Sequence, residues 1–327
     1  MSANAASPPE FRSSWNVSGE HGWANWPLLG LVGLMLITLG IALVGLLVDP
    51  RIVTGAPAWM KPAKFAISIA VYGATLIWLL RYLQDRPILV RVISWIAAIG
   101  FTIEMALIAL QVVRGTTSHF NMATPFDAMV FRIMGGVIIG MWLLTLFVAI
   151  LLFRRQFAAP AIVWGVRLGL VAALLGMAVA FLMPQPSPAQ RAAIAATGSS
   201  PTFGAHSVGV EDGGPGLPVV GWSTTGGDLR VAHSVGLHGM QAGPIAGWLL
   251  ASFAPGWLSA RGRGRLAIIA GVAWIGLTFL LLWQALRGQS LIAPDGLTIG
   301  ATLGGLLIFV AVALAVLAGE RKPIQPQ

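Results

Sequence analysis

The stretch WPLLGLVGLMLITLGIALVGLLV, residues 26–48, contains 23 residues and not one charged side chain. A helix rises 1.5 Å per residue, so this stretch is long enough to cross the roughly 30 Å hydrocarbon core of a bilayer. Backbone polar groups in lipid must be paired within the segment, which favours a helix, and the alternation typical of a transmembrane β-strand is missing. The stretch therefore predicts an all-α membrane protein.

Seven further stretches have the same character, which predicts a single membrane domain, residues 26–318, of about eight transmembrane helices. The predicted spans are 26–48, 64–83, 90–113, 129–153, 158–183, 231–254, 265–286 and 297–318. Short tails, 1–25 and 319–327, flank this domain. Three GxxxG pairs predict close helix contacts: Gly136 with Gly140, Gly239 with Gly243, and Gly300 with Gly304.

The composition agrees with a membrane protein and excludes several other classes. Hydrophobic residues make up 57% of the chain and charged residues 9%, whereas a soluble domain has about 25% charged residues. The net charge of +9 comes without a basic run interleaved with aromatic residues, so nucleic acid is not an expected partner. The chain has no cysteine, which excludes disulfides and thiolate metal sites.

The positions of the arginines predict the orientation. Arg154-Arg155 and the cluster at 261–265 lie against span ends, where positive residues mark the cytoplasmic side. We therefore expect both termini in the cytoplasm of a bacterial cell and the bundle in its inner membrane. The long connection 184–229 then lies on the outer face; it begins like a proline-rich linker, turns glycine-rich, and is expected to act as a loop or lid.

Polar residues interrupt the second predicted span at its outer end. Lys61 and Lys64 lie beside the start of this helix, where the helix dipole and free N–H groups add to their positive charge. This arrangement is typical of an anion site. The alternative is that both lysines are interface residues that extend toward water.

The third predicted span carries Glu104 and Gln111 on one face. Glu104 precedes Arg114 by ten residues, which places it about 15 Å deeper in the bilayer. A carboxylate at that depth must be paired, protonated or in contact with water. Four roles fit it: a hydrogen bond between helices, a proton relay, a counter-ion, or a catalytic acid–base group.

The sixth predicted span is the richest in polar residues. Its polar side chains share an arc of about 140° at 100° per residue: Arg230, His233, Ser234, His238 and Gln241. A stripe of this width must face a cavity or other helices rather than lipid. We therefore predict one enclosed polar cavity between the third and sixth spans, lined by Glu104, Gln111, His233, His238 and Gln241.

Three functional hypotheses fit these residues. The first is a redox protein that binds b-type haem or a divalent metal through outer-face histidines, namely His119, His233 and His238. In that case haem propionates, or another anion, would bind near Lys61, Lys64, Arg114, Asn121, Asp228 and Arg230. The second is a membrane enzyme for an anionic lipid or quinone-like substrate, with catalytic residues Glu104, His238, Gln111 and Gln241. The third is a proton-coupled transporter or channel.

Several segments resemble a family of bacterial multi-span membrane proteins. The resemblance lies in Met60-Lys-Pro-Ala-Lys-Phe, in Arg114-Gly-Thr-Thr-Ser-His-Phe-Asn, and in the stretch from Asp212-Gly-Gly-Pro-Gly-Leu-Pro through Gly227-Asp-Leu-Arg-Val-Ala-His. It covers most of residues 61–241. The resemblance implies a helical membrane protein and brings no activity with it, so it assigns no role to any residue.

Overall fold

The computed structural model describes residues 25–321, which form nine α-helices and two short pairs of antiparallel β-strands. The helices are α1 (Trp26–Val48), α2 (Met60–Leu80), α3 (Pro87–Val113), α4 (Pro125–Phe153), α5 (Pro160–Val179), α6 (Pro188–Thr197), α7 (Leu229–Phe253), α8 (Ala260–Leu286) and α9 (Gly296–Glu320). The antiparallel strand pairs are β1 (Ile52–Val53) with β2 (Ala56–Pro57) and β3 (Ser207–Val208) with β4 (Gly227–Asp228). Most of each predicted tail lies outside the described residues.

Seven of these helices are long and apolar enough to cross a bilayer, which confirms a helical, multi-pass membrane protein. They are α1 to α5, α8 and α9, with α2 and α5 each prolonged by a short 3₁₀ turn. The helix that corresponds to the sixth predicted span, α7, is not among the seven. Two histidines, a glutamine and four glycines interrupt the apolar residues of α7.

Three helices begin four or five residues before the predicted span boundaries. α2 begins at Met60, α4 begins after the N-cap Thr124, and α8 begins after the N-cap Ser259. The predicted spans miss these first turns because each of them includes a charged residue, namely Lys61, Asp127 or Arg261. The difference matters for α2, since both Lys61 and Lys64 belong to its first turns.

The proline-rich start of the long connection leads directly into a helix that was not predicted. Residues 188–197 form the helix α6, which is capped by a reciprocal pair of hydrogen bonds between Ser187 and Gln190. Pro188 stands at the first helical position, where its fixed φ favours a helix. A serine followed three residues later by glutamine is a capping box, so this helix start was visible in the sequence.

Backbone contacts between α5 and α7 determine how α7 is oriented. Gly165 lies against Gly243 and Gly169 against Gly239, so the two helices run antiparallel along their length. A Cβ atom on Gly165 would lie 2.3 Å from the carbonyl oxygen of Gly243. The glycine face of α7 is therefore turned toward α5, and α8 packs against both helices.

The predicted GxxxG contacts are confirmed for one pair out of three. Gly239 and Gly243 form the contact with α5, whereas Gly136, Gly140, Gly300 and Gly304 have no heavy atom within 4 Å of an added Cβ among the described residues. The helix that carries the last two, α9, packs mainly on α8.

The connections between helices divide the bundle into two ends. Residues 49–59, 114–124, 183–228 and 287–295 lie at one end, which we call the loop face. The other three described connections are short and lie at the opposite end. The predicted anion site belongs to the loop face, because α2 and α7 both begin there.

Candidate functional site

The connections at the loop face pack on one another and cover the bundle. Gly55, at the tip of the β1–β2 hairpin, contacts Gly213 of the long connection so closely that an added Cβ would lie 2.3 Å from the Gly213 oxygen. Both glycines have positive φ values, +70° and +92°, which other residues rarely adopt. Asn121 forms a β-bridge with Thr202. The long connection, residues 183–228, therefore packs over this end of the bundle, and we call it the cover.

A buried carboxylate and an imidazole meet beneath this cover. Glu104 is only 1% exposed, and neither of its oxygens has a hydrogen-bond partner among the described residues. The nearest polar group is the Nε2 atom of His119, 3.7 Å from Oε1. The loop after α3 folds back toward the bundle, which brings His119 to Glu104. A buried carboxylate without hydrogen bonds is costly, so this position calls for a functional explanation.

A second histidine–carboxylate pair lies in the long connection. Asp212 accepts hydrogen bonds from the backbone N–H groups of His206 and Ser207, and its Oδ2 lies 2.8 Å from His206 Nδ1. Burial opposes ionisation of Asp212, but the hydrogen bonds from His206 and from the two N–H groups hold its pKa below the usual range. An ionised Asp212 makes Nδ1 the donor and leaves Nε2 of His206 as a free base.

The two pairs belong to one neighbourhood. The ring of Phe120 lies between the two imidazoles, with its centroid 4.9 Å from His206 and 6.2 Å from His119. Burial lowers the pKa of His119 well below its usual value, and the charge of Lys61 lowers it further. Burial also lowers the pKa of His206. Burial therefore favours the neutral form of both imidazoles.

Cations surround the two pairs. Lys61 interacts electrostatically with Glu104 and with Arg230. Lys64 donates to the carbonyl oxygen of Val220 at 3.1 Å, and Arg230 donates to that of Gly221 at 2.6 Å. Positive side chains beside the N-termini of α2 and α7 create a region suited to an anion.

Asp228 holds both Arg230 and the cover in position. It caps α7 through the backbone N–H of Arg230 and pairs with the guanidinium of the same residue, with Nη2 2.6 Å from Oδ2. It also accepts the backbone N–H of Ser223. The predicted contact residue Asp228 therefore orients Arg230 and the cover, and it is itself buried.

Three predicted site residues hold helices or loops together: Gln111, Arg114 and Asn121. Gln111 donates to Asp127 Oδ1 at 2.9 Å, and Arg114 donates to both Gln111 Oε1 at 2.6 Å and Asp127 Oδ1 at 2.5 Å. This cluster joins α3 to the start of α4. The side chain of Asn121 bonds within its own loop, to Thr116 and the backbone, and so shapes the turn that carries His119.

The prediction of one enclosed cavity between the third and sixth spans is wrong. His238 is exposed, and its Nδ1 atom lies 3.3 Å from Oε1 of Gln241. Gln241 donates to Thr75 of α2 at 2.9 Å, and His233 Nδ1 lies 2.8 Å from the carbonyl oxygen of Gly176 in α5. The reason is the glycine face of α7, which fixes the rotation of this helix against α5.

Within residues 25–321, no group of three or more histidine, aspartate and glutamate side chains is arranged to hold a metal ion. The proposed ligands His119, His233 and His238 make contacts with three different elements. The pair of His206 with Asp212 was not predicted. An aspartate followed by two glycines was the available signal, because such turns expose a carboxylate to backbone N–H groups.

No protein-family model, curated protein or solved structure matches this chain, so what its site does must be inferred from the site itself.

Proposed function

We propose that this protein is an enzyme of the bacterial inner membrane that acts on an anionic, lipid-borne substrate at the outer face. The single observation that carries the proposal is Glu104, a buried carboxylate without a hydrogen bond that faces the imidazole of His119 at 3.7 Å. A protein that leaves such a group unsatisfied gains no stability from it, so a role in proton transfer is the better explanation.

The cations favour an anionic substrate. Lys61, Lys64 and Arg230 all lie at the loop face, beside the N-termini of α2 and α7. Lys64 and Arg230 each donate to a carbonyl oxygen of the cover, which is a neutral acceptor, and Arg230 also pairs with Asp228. A phosphate or carboxylate oxygen is a stronger partner for a lysine or arginine than a carbonyl oxygen is, because both groups are charged.

The two histidine–carboxylate pairs favour acid–base chemistry. His206 is held by Asp212 with Nε2 free, which suits it to accept a proton from the substrate. Glu104 and His119 form a second pair through which a proton can be returned at another atom. Because burial lowers the pKa of His206, we expect its basic form, and with it the activity, to increase as the pH rises through a value below 6.5.

The test is turnover of lipids by the purified protein. We expect incubation with a total bacterial lipid extract to change the mass of at least one anionic lipid, as measured by liquid chromatography and mass spectrometry. The same incubation with heat-denatured protein is the control. An extract whose anionic lipids all keep their masses and amounts would contradict the enzymatic proposal.

The haem hypothesis stays a prediction, and the site supports it less well. Nε2 of His119 faces Glu104, and Nδ1 lies 3.1 Å from the hydroxyl of Ser118, so both ring nitrogens already face protein groups. A bound haem would give the detergent-purified protein a Soret absorption band. The transporter hypothesis is also less well supported, because the α3 face beyond Glu104 continues with buried Phe101, Ala97 and Ile93, which cannot relay a proton.

We also propose that α7 is the eighth span and that both termini lie in the cytoplasm. The antiparallel contact of α7 with α5 supports a crossing, because it extends from Gly176 and Gly236 near the loop face to Ala161 and Gly247 near the other end. A helix that follows a spanning neighbour over this length occupies the same depth of bilayer.

Cysteine labelling tests this topology, since the natural chain has no cysteine. We expect Ser199→Cys to react with a membrane-impermeant maleimide added to intact cells and Gly256→Cys to react only after the inner membrane is opened. Both positions are exposed, and Gly256 has open space around it. Labelling of both residues from the same side would contradict a spanning α7.

A further inference from the structure

Two polar stripes lie on α2 and α7, the helices that carry Lys64 and Arg230. On each helix the side chains recur at intervals that keep them on one face. We call these residues the polar seam: Lys64, Ser68 and Thr75 of α2, and Arg230, Ser234, His238 and Gln241 of α7.

The two stripes are in register. Both helices begin at the loop face and run in the same direction. Thr75 follows Lys64 by eleven residues, and Gln241 follows Arg230 by the same number, a depth of about 16 Å on each helix. The seam is closed at its deep end by the hydrogen bond from Gln241 to Thr75. At the loop face, Lys64 and Arg230 bind adjacent carbonyl oxygens of the cover.

Between these two ends the seam is open to the surroundings. Ser68 and His238 are both exposed although they lie well inside their helices. The main helix contacts of α2 are with α1 and α3, and those of α7 are with α5 and α8, so neither helix is packed mainly on the other. Polar side chains that face hydrocarbon are unfavourable, which means that the seam needs a polar occupant within the bilayer.

We propose that the polar seam is the binding site and lateral access route of an anionic glycerophospholipid, and this inference rests on the proposed function. The phosphate of the lipid replaces the carbonyl oxygens on Lys64 and Arg230, while Arg230 keeps its ion pair with Asp228. Ser68 and Ser234 each lie four residues, about 6 Å, deeper than these cations, where the ester oxygens of the same lipid lie. The acyl chains stay in the surrounding bilayer.

Native mass spectrometry of the protein released from bilayers tests this inference. The bilayers are phosphatidylcholine with a minor share of phosphatidylglycerol. We expect the protein to retain phosphatidylglycerol in preference to phosphatidylcholine. Lys64→Gln and Arg230→Gln should each reduce the retained phosphatidylglycerol about tenfold, because each removes a charge-assisted hydrogen bond. Retained phosphatidylcholine should not change.

Ser68→Phe tests the seam itself, since it fills the route without changing the charge. We expect it to lose phosphatidylglycerol, whereas Thr302→Phe, the matched change of an exposed hydroxyl residue on α9, should retain it. Thermal unfolding of each variant shows whether it is folded. If Ser68→Phe does not fold, the retention of phosphatidylglycerol by Lys64→Gln and Arg230→Gln is the test of the inference.

Three results would overturn the inference: no preference for phosphatidylglycerol, full retention by folded Ser68→Phe, or binding of added inorganic phosphate without any lipid adduct. Failure here is separable from failure of the proposed function. Lipid turnover without a preference for phosphatidylglycerol would contradict only the proposal that the polar seam is the binding site. Specific binding of phosphatidylglycerol without turnover of any lipid would contradict only the proposal that the protein is an enzyme.

Discussion

Replacing Gly165 by alanine is expected to separate α5 from α7 and to destabilise the protein by about 3 kcal/mol or more. The added methyl group would lie 2.3 Å from the Gly243 carbonyl oxygen. The position of the methyl group is fixed by the backbone of α5 and that of the oxygen by the backbone of α7. Overpacking typically costs about 1–3 kcal/mol where side chains can adjust. Here no side chain is available to adjust, so we expect a value at or above the upper end.

Thermal unfolding in detergent measures this effect, with Gly140→Ala and Gly300→Ala as matched controls. Both control glycines are helical and have open space around an added Cβ. Alanine is the better helix former by about 1 kcal/mol, so the controls should be unchanged or slightly more stable. If Gly165→Ala unfolds at the same temperature as its controls, α5 and α7 are not in the close contact described above.

Replacing Glu104 by glutamine is expected to reduce lipid turnover by about 10²-fold to 10⁴-fold, the usual contribution of a general acid or base. The amide has nearly the same shape as the carboxylate but cannot accept and release a proton at neutral pH. The carboxylate makes no hydrogen bond among the described residues, so its loss should not lower the unfolding temperature.

The control for this variant is Glu211→Gln, the same chemical change in the cover. Glu211 is exposed and adjoins Asp212, so it tests the removal of a negative charge close to the site. We expect Glu211→Gln to turn over lipid at the rate of the natural protein. A Glu104→Gln protein with full turnover and a lowered unfolding temperature would make Glu104 a structural residue.

The apolar stretches were sufficient to predict the helical membrane bundle. A run without charges, such as residues 26–48, leaves a helix as the main way to satisfy backbone groups in lipid, so local composition determines the outcome. Glu104 could be identified for the same reason, because a carboxylate inside such a run needs an explanation. Its partner could not be predicted, since His119 reaches it from a loop whose path depends on tertiary contacts.

The rotation of α7 was the main error, and its cause is physical. We expected the polar stripe of this helix to decide which way it faces. The rotation of α7 is instead determined by the contacts of Gly165 with Gly243 and of the neighbouring glycines, because the close approach of the two helix backbones gives dense packing along the whole helix. The pair of His206 with Asp212 escaped prediction for a related reason, since it depends on how a glycine-rich connection folds over the bundle.

The separation of the site residues along the chain has a consequence for biosynthesis. Helices α2, α3 and α7 supply Lys61, Glu104 and Arg230, and the two imidazoles come from connections between helices. Helices made early can enter the bilayer while the rest of the chain is still on the ribosome. The cations Lys64 and Arg230 therefore come together only after synthesis has passed Arg230 and α7 has joined α5, so we expect nascent and truncated chains to lack the proposed anion site.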